Sequence, residues 1–265
     1  MRILVTRPAA QSEEWVTQLR RSGLDAVALP LIKIAAPDDL GPVHQAWSEL
    51  PSRRLVCFVS PNAVEWFFSL RTALTAWPAS LQAASPGPGT TAVLRRCGVS
   101  SHLIIEPAAD APQFDSESLW AVLQSQIWAR ASVLVVRGDG GRDWLADQLR
   151  EAGAEVNFVS AYRRVAPRFN APALVLLEAA LALPQRHLWF FSSSEAVANL
   201  MEAPQLEALG MDWARGMAVA THPRIADNAK AAGFGTVLTC RPTLEAVVAE
   251  VRACIQSRDG ESRPD

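Results

Sequence analysis

Short apolar runs alternate with segments of helical period along most of the chain. Ile3-Leu4-Val5 has no polar member, as a strand buried on both faces requires, and Trp15, Val16 and Leu19 then form the stripe of an amphipathic helix. Glu13 and Glu14 near the start of that helix and Arg20 and Arg21 near its end match the macrodipole, and Gly23 stops it. The same order of strand, turn and helix predicts further strands beginning near Ala26, Leu55, Leu103, Val133, Val156, Leu188, Ala218 and Val237. It predicts helices near 62–74, 89–97, 116–129, 142–152, 194–202, 223–232 and 243–256, with a polar, frayed tail from Ser257. Repeated strand-to-helix units make a parallel sheet covered on both faces.

The pattern occurs twice. Shifted by 130, Ile3-Leu4-Val5-Thr6-Arg7 falls on Val133-Leu134-Val135-Val136-Arg137, Gln18-Leu19-Arg20 on Gln148-Leu149-Arg150, Gly23 on Gly153 and Ala36-Pro37 on Ala166-Pro167. Residues 3–37 show nine identities without a gap, where chance gives about two at usual residue frequencies. A shift of 133 carries Leu55, Phe58, Ser60, Ala63 and Val64 onto Leu188, Phe191, Ser193, Ala196 and Val197. A looser shift of 135 sets Gly87-Pro88-Gly89-Thr90 on His222-Pro223-Arg224-Ile225 and Gly98 on Gly233. About ten strands are too many for one core at this length, so two doubly wound domains are expected. The repeat leaves two pairings open: a tandem break near 130, or an exchange in which 38–162 is one domain and the two chain ends form the other. In the exchanged arrangement 32–36 and 162–166 both cross, each ending in Ala-Pro, and proline favours extended backbone before it.

Composition narrows the chemistry. The chain has 265 residues, 25 Lys plus Arg against 27 Asp plus Glu, and a net charge of -2, which argues against a general nucleic-acid binder. Lys33 and Lys230 are the only lysines, so the positive charge is nearly all guanidinium, the better fork for carboxylate and phosphate. The most apolar window, Ala173 to Phe191, is interrupted by Glu178, Pro184, Arg186 and His187 and is no membrane span. Arg7 and Pro8 come too early for a secretory signal. Cys57, Cys97, Cys240 and Cys254 are far apart, as are His44, His102, His187 and His222, so no metal-ligand spacing appears and a reducing cytoplasm is the expected location.

In an open parallel sheet, ligands bind beyond the carboxyl ends of the strands. The loops expected there are Thr6-Arg7-Pro8, Ser60-Pro61-Asn62, residues 85–90 (Ser85, Gly87 and Thr90 among them), Arg137-Gly138 with the glycines that follow, Ser192-Ser193-Ser194 and Thr221-His222-Pro223-Arg224. Small hydroxyl residues and glycines leave N–H groups exposed at helix N-termini, which attract anions. The same residues are also ordinary helix caps and turn formers; six such loops with the paired Arg7 and Arg137 favour a ligand rich in carboxylates or phosphates. Residues 137–141 lack the G-x-G-x-x-G spacing and the Lys-Ser/Thr of a phosphate loop, and no G-x-S-x-G elbow surrounds Ser192 to Ser194. Tyr162, the only tyrosine, stands where the first copy has Ile32. It is either a packing residue with one hydrogen bond or a group facing the cleft.

Taken together, Val5-Thr6-Arg7-Pro8, Phe58 to Val64, Gly87-Pro88-Gly89-Thr90 with Leu94 and Gly98, Val135 to Arg142, Tyr162, and Phe190 to Val197 resemble the uroporphyrinogen-III synthase family from Arg2 to about Ile255. The resemblance implies two flavodoxin-like α/β domains with the middle of the chain inserted into the domain formed by its ends. The expected boundaries are 1–34 with 167–257, 38–161, connecting segments 32–37 and 162–166, and a flexible tail 258–265. It implies an enzyme, a cyclising hydro-lyase, whose substrate is hydroxymethylbilane, a linear tetrapyrrole with four acetate and four propionate arms. Water is lost, the last pyrrole ring is inverted through a spiro intermediate, and the ring closes without cofactor or metal. A cytoplasmic monomer is implied, receiving the bilane from the preceding bilane-forming enzyme, with no nucleic-acid or membrane partner. Tyr162 matches the family's candidate acid. Arg7, Ser60, Asn62, Gly87, Thr90, Arg137, Gly138, Ser192, Ser193, Ser194, Thr221 and His222 are the expected substrate contacts. One departure stands out: the family's Gly-x-x-Thr-Ala segment is here His222-Pro223-Arg224-Ile225-Ala226, so a threonine acid is absent and Thr221 or His222 takes over its contacts. A non-enzymatic two-domain receptor for an anion shares the fold, yet nothing in the sequence supplies a DNA-binding segment or export signal to give it a role. A two-domain glycosyl transferase lacks its acidic ribose ligand.

Overall fold

The computed structural model describes residues 1–72, 75–108, 111, 113–204 and 212–261, with side chains as far as Ser257 at the carboxyl end. In chain order its strands are β1 (Arg2–Val5), β2 (Asp25–Ala28), β3 (Lys33–Ala35), β4 (Leu55–Phe58), β5 (Gln82–Ala84), β6 (Ile104–Ile105), β7 (Ser132–Gly138), β8 (Glu155–Val165), β9 (His187–Phe191), β10 (Met217–Ala220) and β11 (Thr236–Thr239). Its α-helices are α1 (Ala9–Arg21), α2 (Gly41–Glu49), α3 (Pro61–Ser69), α4 (Pro88–Arg96), α5 (Ser116–Leu123), α6 (Trp144–Glu151), α7 (Ala171–Ala182), α8 (Ser194–Met201), α9 (Pro223–Ala231) and α10 (Leu244–Glu261). The chain divides into two compact units, Met1–Lys33 with Val165–Asp265, and Ile34–Arg164.

The first unit holds a parallel sheet in the order β11-β10-β9-β1-β2. Numbered within the unit this is 2-1-3-4-5, the flavodoxin-like order. The second unit has β3-β8-β7-β4-β5-β6, with parallel pairing from β8 through β6. The repeat matches β7 to β1, β8 to β2, β4 to β9 and β5 to β10. The second unit is therefore the same sheet entered at its third strand, with β3 added at one edge.

Alternation along the central strands explains both faces. In β4, Val56 and Phe58 join Trp47, Phe67, Val136 and Tyr162 on one side of the sheet, while Leu55 and Cys57 join Leu119, Trp128, Val133 and Leu149 on the other. In the first unit Ile3, Val5, Leu188, Phe190 and Val219 meet Val16, Leu19, Val247 and Val251 from α1 and α10. Four helices end alike: Gly23, Gly98, Gly153 and Gly233 sit at positive φ. The amides of Leu24, Val99, Ala154 and Phe234 then reach back to Leu19, Leu94, Leu149 and Ala229, a Schellman-type stop.

Several expectations needed correction. Helix α1 begins at Ala9, so Glu13 and Glu14 lie beyond its first turn. The helices expected over 62–74 and 116–129 stop at Ser69 and Leu123. Near each end an indole N–H donates to a late helical carbonyl, Trp47 to Phe67 at 2.8 Å and Trp128 to Leu123 at 2.8 Å. The elements β3, β5, α2 and α7 were not expected. The connecting segments are not bare linkers: Lys33–Ala35 is β3, and residues 162–165 complete β8 beside it. The extended backbone that Pro37 and Pro167 favour is strand geometry, and β3 and β8 use it to hydrogen-bond to one another at the sheet edge.

Gly235 shows how close the packing is. A Cβ there would lie 1.8 Å from the Ala214 carbonyl oxygen. Gly235→Ala is expected to cost about 3 kcal/mol, read as a lower urea midpoint with the slope unchanged; an unaltered midpoint would show that the 213–215 turn yields.

Candidate active site

The expected loops fall at the carboxyl ends of adjacent strands within each unit. In the first unit they follow β1, β9 and β10, and in the second they follow β7, β4 and β5. The strand order reverses between β1 and β9, and again between β7 and β4. At such a point the flanking loops leave in opposite directions and open a crevice.

In the second unit the structure brings Ser60, Gly138 and Tyr162 together. The Tyr162 hydroxyl lies 3.3 Å from Ser60 Oγ, and that oxygen also caps α3 by accepting from the Ala63 amide at 3.2 Å. Tyr162 is only 2% exposed, with its ring in the core on one face and its hydroxyl at the strand ends. Gly138 is obligatory here, because a Cβ would lie 2.8 Å from Tyr162 Cε2. A register shift between Arg137 and Gly138 pairs Gly138 with Tyr162. The side chain of Asn62, half-buried in the first turn of α3, has no hydrogen-bond partner among the described residues.

Other expected contacts in this unit are differently employed. Arg137 is ion-paired with Asp143 and stacks 4.1 Å over Phe158, so part of its guanidinium is already engaged, while its Nε is buried without a hydrogen-bond partner among the described residues. Gly87 lies against Phe114, whose Cβ is 2.7 Å from the position a Gly87 Cβ would take. Thr90 is buried in α4, and the polar groups around it close on one another. Thr91 Oγ1 donates to Glu106 Oε2 at 2.7 Å, and Ser85 Oγ donates to the Gly87 carbonyl at 2.8 Å. Chain spacing could not show that this loop satisfies itself.

In the first unit the buried Thr6 hydroxyl donates to the Phe190 carbonyl at 2.7 Å, and the Thr221 amide donates to Phe191 at 3.1 Å, stitching neighbouring strand ends. Arg7 follows β1 with its guanidinium 5.3 Å over Trp15, and Ser12 Oγ donates to the Arg7 carbonyl at 2.6 Å. Arg7 Nε is buried without a hydrogen-bond partner, and so is Ser194 Oγ at the start of α8. Burial pushes the Arg7 pKa down, with Glu14 opposing; a guanidinium remains charged. Ser193 caps α8 by accepting from the Glu195 amide, while Ser192 is half-buried in the same loop. His222 caps α9: its Nδ1 accepts from the Arg224 amide at 3.1 Å, which leaves the ring proton on Nε2. Thr221 is buried, so of the two residues expected to replace the family's threonine, His222 is the exposed one. Ser12, Trp15, Asp143 and Phe158 support the site and were not foreseen. Their signal was present for Ser12 alone, a buried hydroxyl on the inner face of α1.

No group of three or more His, Cys, Asp or Glu among the described residues is placed to hold a metal. Burial pushes the Cys57 thiol up to about 12 and the Cys240 thiol up to about 11, so neither is a thiolate nucleophile near neutral pH. No helix among the described residues is long and apolar enough to cross a membrane.

A family model described as uroporphyrinogen-III synthase HemD matches residues 13–249. The chain belongs to the uroporphyrinogen-III synthase family. Among similar proteins of that name, one from Proteus mirabilis is 32% identical over 167 residues, 62% of this chain and 81% of that one. Another, from Synechococcus elongatus, is 28% identical over 267 residues, covering 97% of this chain and 91% of its own. Uroporphyrinogen III synthase from Thermus thermophilus, in a mutant form, superimposes with a TM-score of 0.56 at 16% identity over 98% of this chain and 99% of that one. The Helicobacter pylori enzyme gives 0.55 at 18% identity over 96% and 100%. At those identities the likeness concerns the fold, a two-unit α/β architecture. As a uroporphyrinogen-III synthase family member, the chain is an enzyme of tetrapyrrole biosynthesis that cyclises hydroxymethylbilane, a lyase-type reaction.

Proposed function

We propose that the strand-end loops hold the acetate and propionate arms of hydroxymethylbilane and that Tyr162 supplies the proton for loss of its terminal hydroxyl. The observation that carries the binding half is the pair of unpartnered buried atoms Arg7 Nε and Ser194 Oγ, on neighbouring strand ends across a switch point. An unsatisfied buried polar group costs about 1–3 kcal/mol, and a carboxylate arm answers a guanidinium and a hydroxyl together. Ser192, Ser193 and His222 stand at the strand ends of the first unit. Ser60, Asn62 and Gly138 stand at those of the second.

The chemistry then needs little from the protein. As the terminal C–O bond breaks, the Tyr162 O–H gives its proton to the departing oxygen, which leaves as water, and the adjacent pyrrole nitrogen supplies the electron pair. The resulting cation is attacked by a carbon of the last ring. Holding the chain bent so that the substituted carbon attacks first forms the spiro intermediate. That carbon's bond to its original methylene then breaks, the methylene is attacked by the ring's other α-carbon, and the proton lost there restores the Tyr162 O–H. Tyr162 lies 3.3 Å from Ser60, which keeps the hydroxyl directed along the strand ends. We also assign the chain to the cytoplasm, as a monomer that receives its bilane from the preceding enzyme; light scattering on the eluting protein tests the monomer.

Freshly generated hydroxymethylbilane incubated with the protein is expected to yield mainly the type III ring. Type I product alone, at the uncatalysed rate, would end the proposal.

A further inference from the structure

Arg7 and Arg137 are equivalent in the repeat, Arg7 just beyond β1 and Arg137 near the carboxyl end of β7, yet the two sites differ. Both carry a buried Nε with no hydrogen-bond partner among the described residues, and Arg7 has an aromatic ring beneath it but no ion pair among those residues. Arg137 has an aromatic ring beneath it and Asp143 as its ion-pair partner. Asp143 is the last residue of the loop that Arg137 introduces, Gly138-Asp139-Gly140-Gly141-Arg142-Asp143.

The rest of that loop is also tied down. Ser160 Oγ donates to the Gly138 carbonyl at 3.3 Å, and Asp139 Oδ1 accepts from the Arg164 amide at 3.4 Å. Arg142 forks onto both oxygens of Glu117 at 2.8 and 3.2 Å. Three of the loop's six residues are glycines, and Gly141 holds φ at +142°. Such a segment loses more freedom on ordering than any other composition. Something must offset that loss if its N–H groups are to keep one arrangement. The pair that closes the loop, from the residue before it to its last, is Arg137–Asp143, and four-fifths of the Arg137 side chain is buried while about half of Asp143's is exposed.

We propose that Arg137 and Asp143 form a latch that holds the glycine loop in its substrate-binding shape, making Arg137 a positioning residue and not a carboxylate ligand. The proposal rests on the reading that this loop binds hydroxymethylbilane. It makes a prediction opposite in sign to direct binding. If Arg137 met a substrate carboxylate, Asp143 would compete with that arm, and Asp143→Asn would lower KM. For a latch, Asp143→Asn raises KM.

The test measures both the loop and the reaction in the intact protein. Hydrogen exchange without substrate reads the amides of 138–143 in wild type, Asp143→Asn, Arg137→Met and Arg137→Lys. Steady-state kinetics on hydroxymethylbilane read KM and kcat. Exchange is expected to quicken at least tenfold in Asp143→Asn and Arg137→Met. KM should rise about tenfold in both, kcat should stay within about threefold, and Arg137→Lys should recover most of each loss. Unchanged exchange in both variants overturns the latch. Faster exchange with unchanged KM overturns its positioning role, and a lower KM in Asp143→Asn returns Arg137 to direct binding. A wild-type protein that forms no type III ring refutes the functional reading, while the exchange data still decide whether the latch exists.

Discussion

Tyr162→Phe is expected to lower turnover on hydroxymethylbilane about a hundredfold, the lower range for loss of a positioned acid, while costing at most about 1 kcal/mol of stability. The two effects separate because the residue has two ends. Its ring belongs to the core on one face of the second unit's sheet, against the backbone at Gly138, and phenylalanine keeps all of that packing. Only the hydroxyl is lost, and with it a long 3.3 Å contact to Ser60, whose oxygen still caps α3 through Ala63. A structural tyrosine would give the reverse result, with a normal rate and a lower midpoint of unfolding, and that outcome would remove it from the mechanism. Gly138→Ala provides an independent approach to the same hydroxyl. The added carbon must push the ring from 2.8 Å, so turnover should fall here too although the phenol is intact.

Arg7→Met should raise KM for the bilane about tenfold to a hundredfold, the range for a hydrogen bond to a charged group, and leave stability unchanged or slightly higher. A half-buried guanidinium with no ion pair among the described residues is a cost the folded chain carries, visible as the downward push of burial on its pKa. Methionine keeps an unbranched apolar stem over Trp15 and removes the charge. Substituting a residue that exists to meet a ligand relieves the empty protein and penalises the complex. Thermal unfolding with and without bilane, beside the kinetics, distinguishes the cases: a marked loss of midpoint with KM unaltered would make Arg7 a packing residue.

The amino-acid order carried more of this molecule than its individual motifs did. The duplicated strand-to-helix pattern and the glycine stops at 23, 98, 153 and 233 are local features, set by side-chain period and by backbone freedom at one residue. Helix α2 was legible as well, through Val43, Ala46, Trp47 and Leu50 at helical spacing. Helix α7 was not. It is apolar nearly all round, with Glu178 its one charge, so no stripe marks its period. Strand β5 is three residues long, too short to show alternation.

The site divides along the same line. That Arg7, Ser60, Gly138 and Ser192 to Ser194 would stand at strand ends followed from the strand-to-helix pattern, because a parallel sheet puts every strand-to-helix loop on one edge. Which of those groups is free to meet a ligand depended on neighbours distant in sequence. Phe114 covers Gly87, Glu106 engages Thr91, and Phe158 lies under Arg137. The sequence by itself determined the doubled α/β plan and the edge on which its polar loops emerge. Only tertiary structure decided that Tyr162 meets Ser60 across 102 residues, and that of two equivalent arginines Arg137 has an ion-pair partner while Arg7 has none among the described residues. Hydrogen bonds and ion pairs form between atoms a few ångströms apart, and residues far apart in the chain come that close only after the strands have aligned.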